Sequence, residues 1–149
     1  MRRPRGFALA AVLSALVIMA MVVAMSAQRA LLAARQGALD VARADMAAAI
    51  ASGQAAALET PPDSAGAVGM IPGAALAAGE VSAGAATAHW SVVVAGAPFA
   101  TIDVSAEAPV FRGTTRELRR AIFALARDSI GGLRWVPAGG GGWVRLPSP

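Results

Sequence analysis

Few side chains in this 149-residue chain have the chemistry of a catalytic or metal site. The chain has no cysteine, which excludes thiol catalysis, thiolate metal sites and disulfides. Its one histidine, His89, cannot form a histidine ligand cluster, and we expect it on the surface near the start of a strand. The nine acidic residues are scattered, and no pair suggests general acid–base work. We therefore predict no catalytic residue, no metal site, no cofactor and no enzyme activity.

The positive charge is the next feature with functional meaning. All thirteen basic residues are arginine, and the formal net charge is +4. Three arginines fall in residues 1–6, and beyond that leader ten arginines oppose nine acids. Positive residues before a first apolar segment favour a cytoplasmic N-terminus. The charge thus indicates membrane topology, and we do not expect nucleic acid as a partner.

A second group of arginines lies near the C-terminal end, at Arg112, Arg116, Arg119 and Arg120. Such a group could form a patch for a protein partner or a polyanionic surface. The alternative, which we favour, is a solvated polar face opposite an apolar face of the same element.

The elements that carry these residues begin with an uncharged apolar run over residues 7–27. As a helix, this run would extend ~32 Å, about the hydrocarbon thickness of a bilayer. We predict that residues 7–27 form a transmembrane and assembly helix behind a basic leader, residues 1–6. The helix residues that we assign to lipid or subunit contacts are Phe7, Leu9, Ala11, Leu13, Leu16, Val17 and Met21.

The helix is predicted to continue as an amphipathic segment over residues 28–52 and to stop at Gly53. Large apolar residues recur every seven positions in this part of the chain. We expect this seam to pack on the C-terminal region through Leu32, Leu39, Met46 and Ile50.

Residues 53–88 are rich in alanine, glycine and proline, and we predict an extended connection there. Residues 89–149 are predicted to form a small β-rich region. Near its end, two short strands flank the glycine run 139–142 and suggest a loose hairpin. We expect Trp135 and Trp143 to pack on each other or on the sheet.

Residues 114–130 fit two structures. Thr114 and Glu117 have the spacing of a helical capping box, and apolar residues follow with a helical period, so local rules favour a short helix. A β-meander would instead make residues 119–126 a strand paired with residues 99–106. The sequence does not decide between them.

The C-terminal region is small for an independent core without disulfides. The apolar seam of the long helix can supply one wall of that core. We therefore predict an α+β fold: a long N-terminal helix with a membrane-spanning first half, and a small antiparallel sheet on its C-terminal half.

Arg5-Gly6-Phe7-Ala8-Leu9, followed by an apolar helix that becomes amphipathic, resembles type IV prepilins and type II secretion prepseudopilins. The resemblance implies cleavage between Gly6 and Phe7 by a prepilin peptidase and N-methylation of Phe7. It also implies a pilin-like fold, and other pilin or pseudopilin subunits and the inner membrane as partners.

The chain departs from the family pattern at Ala11, where most pilins have a glutamate. In the family, that glutamate is thought to contact the free N-terminus of the neighbouring subunit. Its absence indicates a minor or tip subunit.

The expectation that follows is a minor pilin or pseudopilin-like subunit with one membrane pass, a cytoplasmic N-terminus and a periplasmic C-terminal region. Two alternatives stay open. The apolar run could be the anchor of a single-pass protein unrelated to pili, or a Sec signal peptide cleaved near residues 22–27.

Overall fold

The computed structural model describes residues 5–60, 71–111, 113–127, 129–139 and 142–147, with side chains from residue 9 onward. One long helix precedes six antiparallel strands, which confirms the predicted α+β class with a sheet packed against the helix. The elements are α1 (Arg5–Leu58), β1 (Ala75–Ala83), β2 (Ala86–Gly96), β3 (Phe99–Val110), β4 (Gly113–Arg127), β5 (Leu133–Pro137) and β6 (Val144–Leu146).

The chain divides into two compact units, the first ending at Leu39 and the second beginning at Asp40. In the first unit, every described side chain of the helix is exposed. The second unit contains the remainder of α1 and the whole sheet.

The sheet is a meander in which β1, β2, β3 and β4 follow one another as neighbours. Strands β5 and β6 do not form the predicted hairpin with each other, because both pair with β4. β5 pairs with the last residues of β4, from Phe123 to Arg127, and β6 pairs with Leu118–Arg120. The amide of Ala138 donates to the carbonyl of Ile122 between them (3.1 Å). β5 and β6 are therefore two separate strands along the same edge of β4.

Residues 113–127 form strand β4, so the meander alternative for residues 114–130 is the one that the structure contains. β4 pairs with β3 through twelve register positions, from Phe99↔Ala124 to Val110↔Gly113. A central strand gains backbone hydrogen bonds and cross-strand contacts along its length, whereas a capping box satisfies only the first turn of a helix. The tertiary pairing therefore outweighs the local helical signal.

The core lies between residues 42–57 of α1 and one face of the sheet, which we call the inner face. Alternate residues of β2 and β3 point to this face, and most are alanine or valine. The largest fully buried side chains are Ile50, Ile102, Val92, Val94 and Val104. The buried alanines are Ala42, Ala49, Ala57, Ala86, Ala88, Ala100, Ala106, Ala108 and Ala121.

Gly53 does not end the helix, which continues to Leu58. A Cβ atom at Gly53 would lie 3.0 Å from Cγ1 of Val104 and 3.5 Å from Cβ of Ala88. Ordinary carbon–carbon contacts are about 3.5–4.0 Å. The glycine therefore lies at a close approach of the helix backbone to the sheet, and the predicted stop at this residue is wrong.

The predicted connection over residues 53–88 also differs from the structure. It contains the last turns of α1, the whole of β1 and the start of β2. Pro61 and Pro62 lie outside the described residues. Strand β1 is built from small residues, and Gly79 leaves room for the indole of Trp90 on β2, whose ring atoms would lie 2.7 Å from a Cβ there.

The predicted packing seam divides between the two units. Met46 and Ile50 are buried in the core, with 6% and 1% exposure. Leu32 and Leu39 belong to the first unit and are 57% and 42% exposed. Within the second unit, the buried residues of the helix are Ala42, Met46, Ala49, Ile50, Gly53 and Ala57.

The β1–β2 turn is attached to the helix through Asp45. The carboxylate of Asp45 accepts a hydrogen bond from the amide of Ala85 (3.0 Å). Gly84 adopts a φ of 56°, in the left-handed region that favours glycine, and a Cβ there would lie 2.4 Å from that carboxylate. This contact fixes the helix against the first hairpin.

Candidate functional site

The apolar part of α1 is the largest exposed hydrophobic surface of the described chain. No glycine or proline occurs between residues 7 and 36, so nothing in the sequence interrupts helical hydrogen bonding. The predicted contact residues with described side chains are all exposed: Leu9, Ala11, Leu13, Leu16, Val17 and Met21. Gly6 and Phe7 lie in the first turns of the helix, where side chains are outside the description.

Within the described residues, α1 is the one helix that is long and apolar enough to cross a membrane, and none of its most apolar window is buried within the chain. The hydroxyl of Ser26 donates to the carbonyl of Val22, so this polar group is satisfied inside the helix. Soluble proteins rarely expose contiguous apolar surfaces of this extent. The helix therefore has the length and the exposed apolar surface of a membrane anchor.

The amphipathic continuation carries a shallow depression lined by Gln28, Leu31, Leu32 and Arg35. These four residues are spaced three, four and seven apart, which places them on one face of the helix. The depression is the groove between side chains of successive helical turns.

The predicted arginine patch does not form one surface. Arg116 and Arg120 lie on the outer face of the sheet, which is the face opposite the helix. Their cross-strand partners, Glu107 and Asp103, lie on the same face. Arg119 points to the inner face. Arg112 lies outside the described residues. Strand alternation separates the described members of the patch, since neighbouring residues on a strand face opposite ways.

Each described arginine of this group is paired with an acid. Arg116 bonds Glu107. Arg120 forms a bidentate ion pair with Asp103, in which Nε lies 2.6 Å from Oδ1 and Nη2 lies 2.7 Å from Oδ2. The hydrogen bonds that Arg120 donates to Asp103, and then the negative charge of that carboxylate, raise the pKa of the Arg120 guanidinium above its ordinary value. The positive charge of these arginines is thus offset within the sheet.

Glu117 is a site residue that the sequence interpretation missed. It lies on the inner face of β4 and is 8% exposed, the one buried charged residue among those described. Its Oε1 accepts from Nε of Arg119 (2.9 Å) and its Oε2 lies 3.1 Å from Nη2 of Arg145 on β6. The strand alternative would have revealed it, because alternation from Phe123 and Ala121 places residue 117 on the buried side.

The two tryptophans near the glycine run pack on the sheet. The ring of Trp143 lies 5.7 Å from that of Phe123 and is tilted by 55°. Trp135 is buried in the core. Tilted aromatic pairs at such distances are stabilising contacts of a core.

The outer face of the sheet has a polar half and an apolar half. On the polar half, His89 is exposed and its Nδ1 lies 3.5 Å from Oε2 of Glu80. On the other half, Phe99, Ile122 and Val144 are exposed. Among the described residues, no three histidine, aspartate or glutamate side chains are grouped to hold a metal ion.

Comparisons of the chain with protein-family models, with curated proteins and with solved structures found no match. The function is therefore inferred from the exposed helix and the sheet that it carries.

Proposed function

We propose that this chain is a minor pilin-like or pseudopilin-like subunit of a type IV pilus, a type II secretion system or a related filament. The observation that carries the proposal is the exposed, uncharged helix behind the Arg5-Gly6-Phe7 junction. The same helix continues without interruption into the segment that packs on the sheet. A membrane helix fused to a sheet-bearing domain suits a subunit that must be stored in lipid and then assembled.

In this proposal, a prepilin peptidase cleaves between Gly6 and Phe7, and Phe7 becomes N-methylated. The helix first anchors the subunit in the bacterial inner membrane, with the arginine-rich leader in the cytoplasm. The helix then leaves lipid and packs with the helices of other subunits. Small residues allow helices to approach closely in such bundles. This chain offers Ala10, Ala11, Ser14, Ala15, Ala20 and Ala24 for that purpose.

The role is that of an assembly subunit and not of an enzyme or a nucleic-acid-binding protein. The acid-paired arginines of the sheet support this choice, because they leave little net charge to attract a polyanion. Ala11, in place of the family's glutamate, supports a minor or tip position over a major subunit.

The second candidate is a single-pass anchored or exported protein unrelated to filaments. The exposed apolar helix supports it equally, since any membrane anchor has this character. The two candidates differ in the mature N-terminus.

The deciding experiment is mass spectrometry of the mature chain after co-expression with a prepilin peptidase. We expect a chain that begins with N-methylated Phe7. A chain that begins at Met1, or one cut near residues 22–27, would refute the proposal.

A bulky residue at the junction, as in Gly6→Leu, should abolish processing. The matched control is Gly37→Leu in the same helix, where a Cβ meets no atom within 4 Å. The control chain should be processed like the unchanged protein. An effect seen only with Gly6→Leu would then be specific to the junction and would not follow from replacing any glycine of the helix by leucine.

A further inference from the structure

Strand β6 is a minor part of the sheet by size and burial. It has three residues, and it pairs only with Leu118–Arg120 of β4. The side chain of Arg145 is 72% exposed, and Val144 is exposed as well. Elements with little buried apolar area and exposed backbone hydrogen bonds open most readily.

The contacts that anchor this segment are made to β4. Trp143 rests on Phe123, and Arg145 binds Glu117. Leu146 lies directly opposite Leu118. These three partners belong to one strand, and they would be offered equally by β4 of another copy of the chain.

The buried carboxylate gives this edge of β4 its chemical selectivity. Arg145 lies directly opposite Arg119, and like charges in that position repel. Glu117 lies between them and uses one oxygen for each. Without a cation on the adjacent strand, one oxygen of a nearly buried carboxylate loses its partner, which is costly. The edge thus favours a short strand with a central cation and apolar neighbours.

The chain between β5 and β6 permits the segment to leave. Six residues of the sequence, 138–143, connect β5 to β6, and four of them are glycine. Closing a glycine-rich connection within one chain costs conformational entropy. Pairing with a second copy removes that closure cost, and confinement of the copies in a membrane raises their effective concentration.

We propose that the edge of β4 at Leu118–Arg120 is a strand-exchange site, which β6 of a second copy of this chain occupies. The exchanged segment is residues 143–147, and each of its contacts is remade in the partner. Exchange of an identical element is an economical route to association, because no new interface has to be built. The inference does not depend on the filament proposal, since any two membrane-anchored copies would meet in this way.

The absence of cysteine makes a disulfide test possible in the full-length chain. Two differently tagged chains, Leu118→Cys and Leu146→Cys, are co-expressed in membranes and mildly oxidised. Directly opposite residues of antiparallel strands have the separation that a disulfide requires. We expect a disulfide-linked heterodimer that carries both tags.

The matched control pair is Leu118→Cys with Ser105→Cys, also in separate chains. These residues are likewise directly opposite, but they lie within the twelve-position pairing of β3 and β4. That pairing should not exchange, so the control should give only collisional cross-linking. A Leu118–Leu146 heterodimer yield no higher than that of the control would overturn the proposal.

The role of the carboxylate is tested on the same cross-linking pair. Arg145→Gln in the Leu146→Cys chain leaves Glu117 with Arg119 alone, and we expect the heterodimer yield to fall about tenfold or more. Arg145→Lys keeps the cation and should restore most of the yield. Equal yields from both variants would show that Glu117 does not select the strand. Tryptophan fluorescence of each variant verifies that the sheet is folded.

Discussion

The close approach of helix and sheet at Gly53 predicts an unusual response to Gly53→Ala. Alanine in place of glycine normally stabilises a helix interior by about 0.5–1 kcal/mol. Here the new methyl would meet Cγ1 of Val104 at 3.0 Å, about half an ångström inside an ordinary contact. Val104 is fully buried in the central strand β3, with paired strands on both sides, so it has little freedom to yield.

The two effects oppose each other, and their magnitudes decide the sign. Overpacking of a well-filled core costs about 1–3 kcal/mol. Subtracting the helical gain leaves a net loss of about 0–2.5 kcal/mol in the free energy of unfolding. Denaturant unfolding of the full chain in detergent, followed by tryptophan fluorescence, measures this loss, because all three tryptophans lie in the sheet unit.

A double-mutant cycle with Val104→Ala isolates the contact. Val104→Ala alone should cost about 2 kcal/mol through lost burial and a cavity. In the Gly53→Ala background it should cost about 1 kcal/mol less, because it removes the clashing methyl and the new methyl partly fills the space. Gly37→Ala is the matched glycine control, and it should not destabilise the protein, since its Cβ meets nothing within 4 Å. A stabilising Gly53→Ala, or strictly additive effects, would refute the reasoning.

Three further predictions concern the sheet. Gly79→Ala should displace the indole of Trp90, with a shift of its fluorescence emission and a loss of about 1–3 kcal/mol in chemical denaturation. Gly84→Ala should cost at least about 1–2 kcal/mol of thermal stability, because a left-handed φ is unfavourable for alanine and its Cβ would clash with Asp45. By contrast, Asp103→Asn should change the unfolding free energy by less than about 1 kcal/mol, since its ion pair is partly exposed, and a larger loss would contradict that assignment.

The long helix and the general architecture were predictable because their signals are strong and local. An uncharged run without glycine or proline specifies a helix, and a small cysteine-free region needs an external wall for its core. Met46 and Ile50 follow from that need and are buried. The same seven-residue repeat continues to Leu32 and Leu39, which are exposed. Periodicity identifies the apolar face of a helix, but it does not show which part of that face is buried within the same chain.

Strand pairing was harder to predict, because it depends on residues far apart in sequence. The residues from Thr114 have the spacing of a capping box, but they pair with β3 along most of the length of β4. This pairing involves more residues than a helical cap does. The glycine run suggested a hairpin because a turn is the commonest reason for such residues between two strands. In the structure, β5 and β6 both pair with the longer strand β4 along the same edge.

The stop predicted at Gly53 and the possible arginine patch depart from the structure for a related reason. A glycine near a predicted helix end looks like a stop, and only the position of Val104 shows that it provides clearance. Four arginines close in sequence look like a patch until strand alternation separates Arg119 from Arg116 and Arg120. In both cases the role of the residue depends on which face of its helix or strand it occupies.

The alanine-rich inner face has a consequence for the kinds of mutation that this domain can tolerate. Alanine is the smallest side chain with a Cβ, so most substitutions at Ala88, Ala100 or Ala106 add volume. At the nine buried alanines, harmful variants should therefore arise chiefly from overfilling, whereas the eight larger buried hydrophobic residues, such as Ile50 and Ile102, have volume to lose. A saturation scan of the buried alanines would show an asymmetric spectrum, in which glycine and serine are accepted where valine and leucine are not.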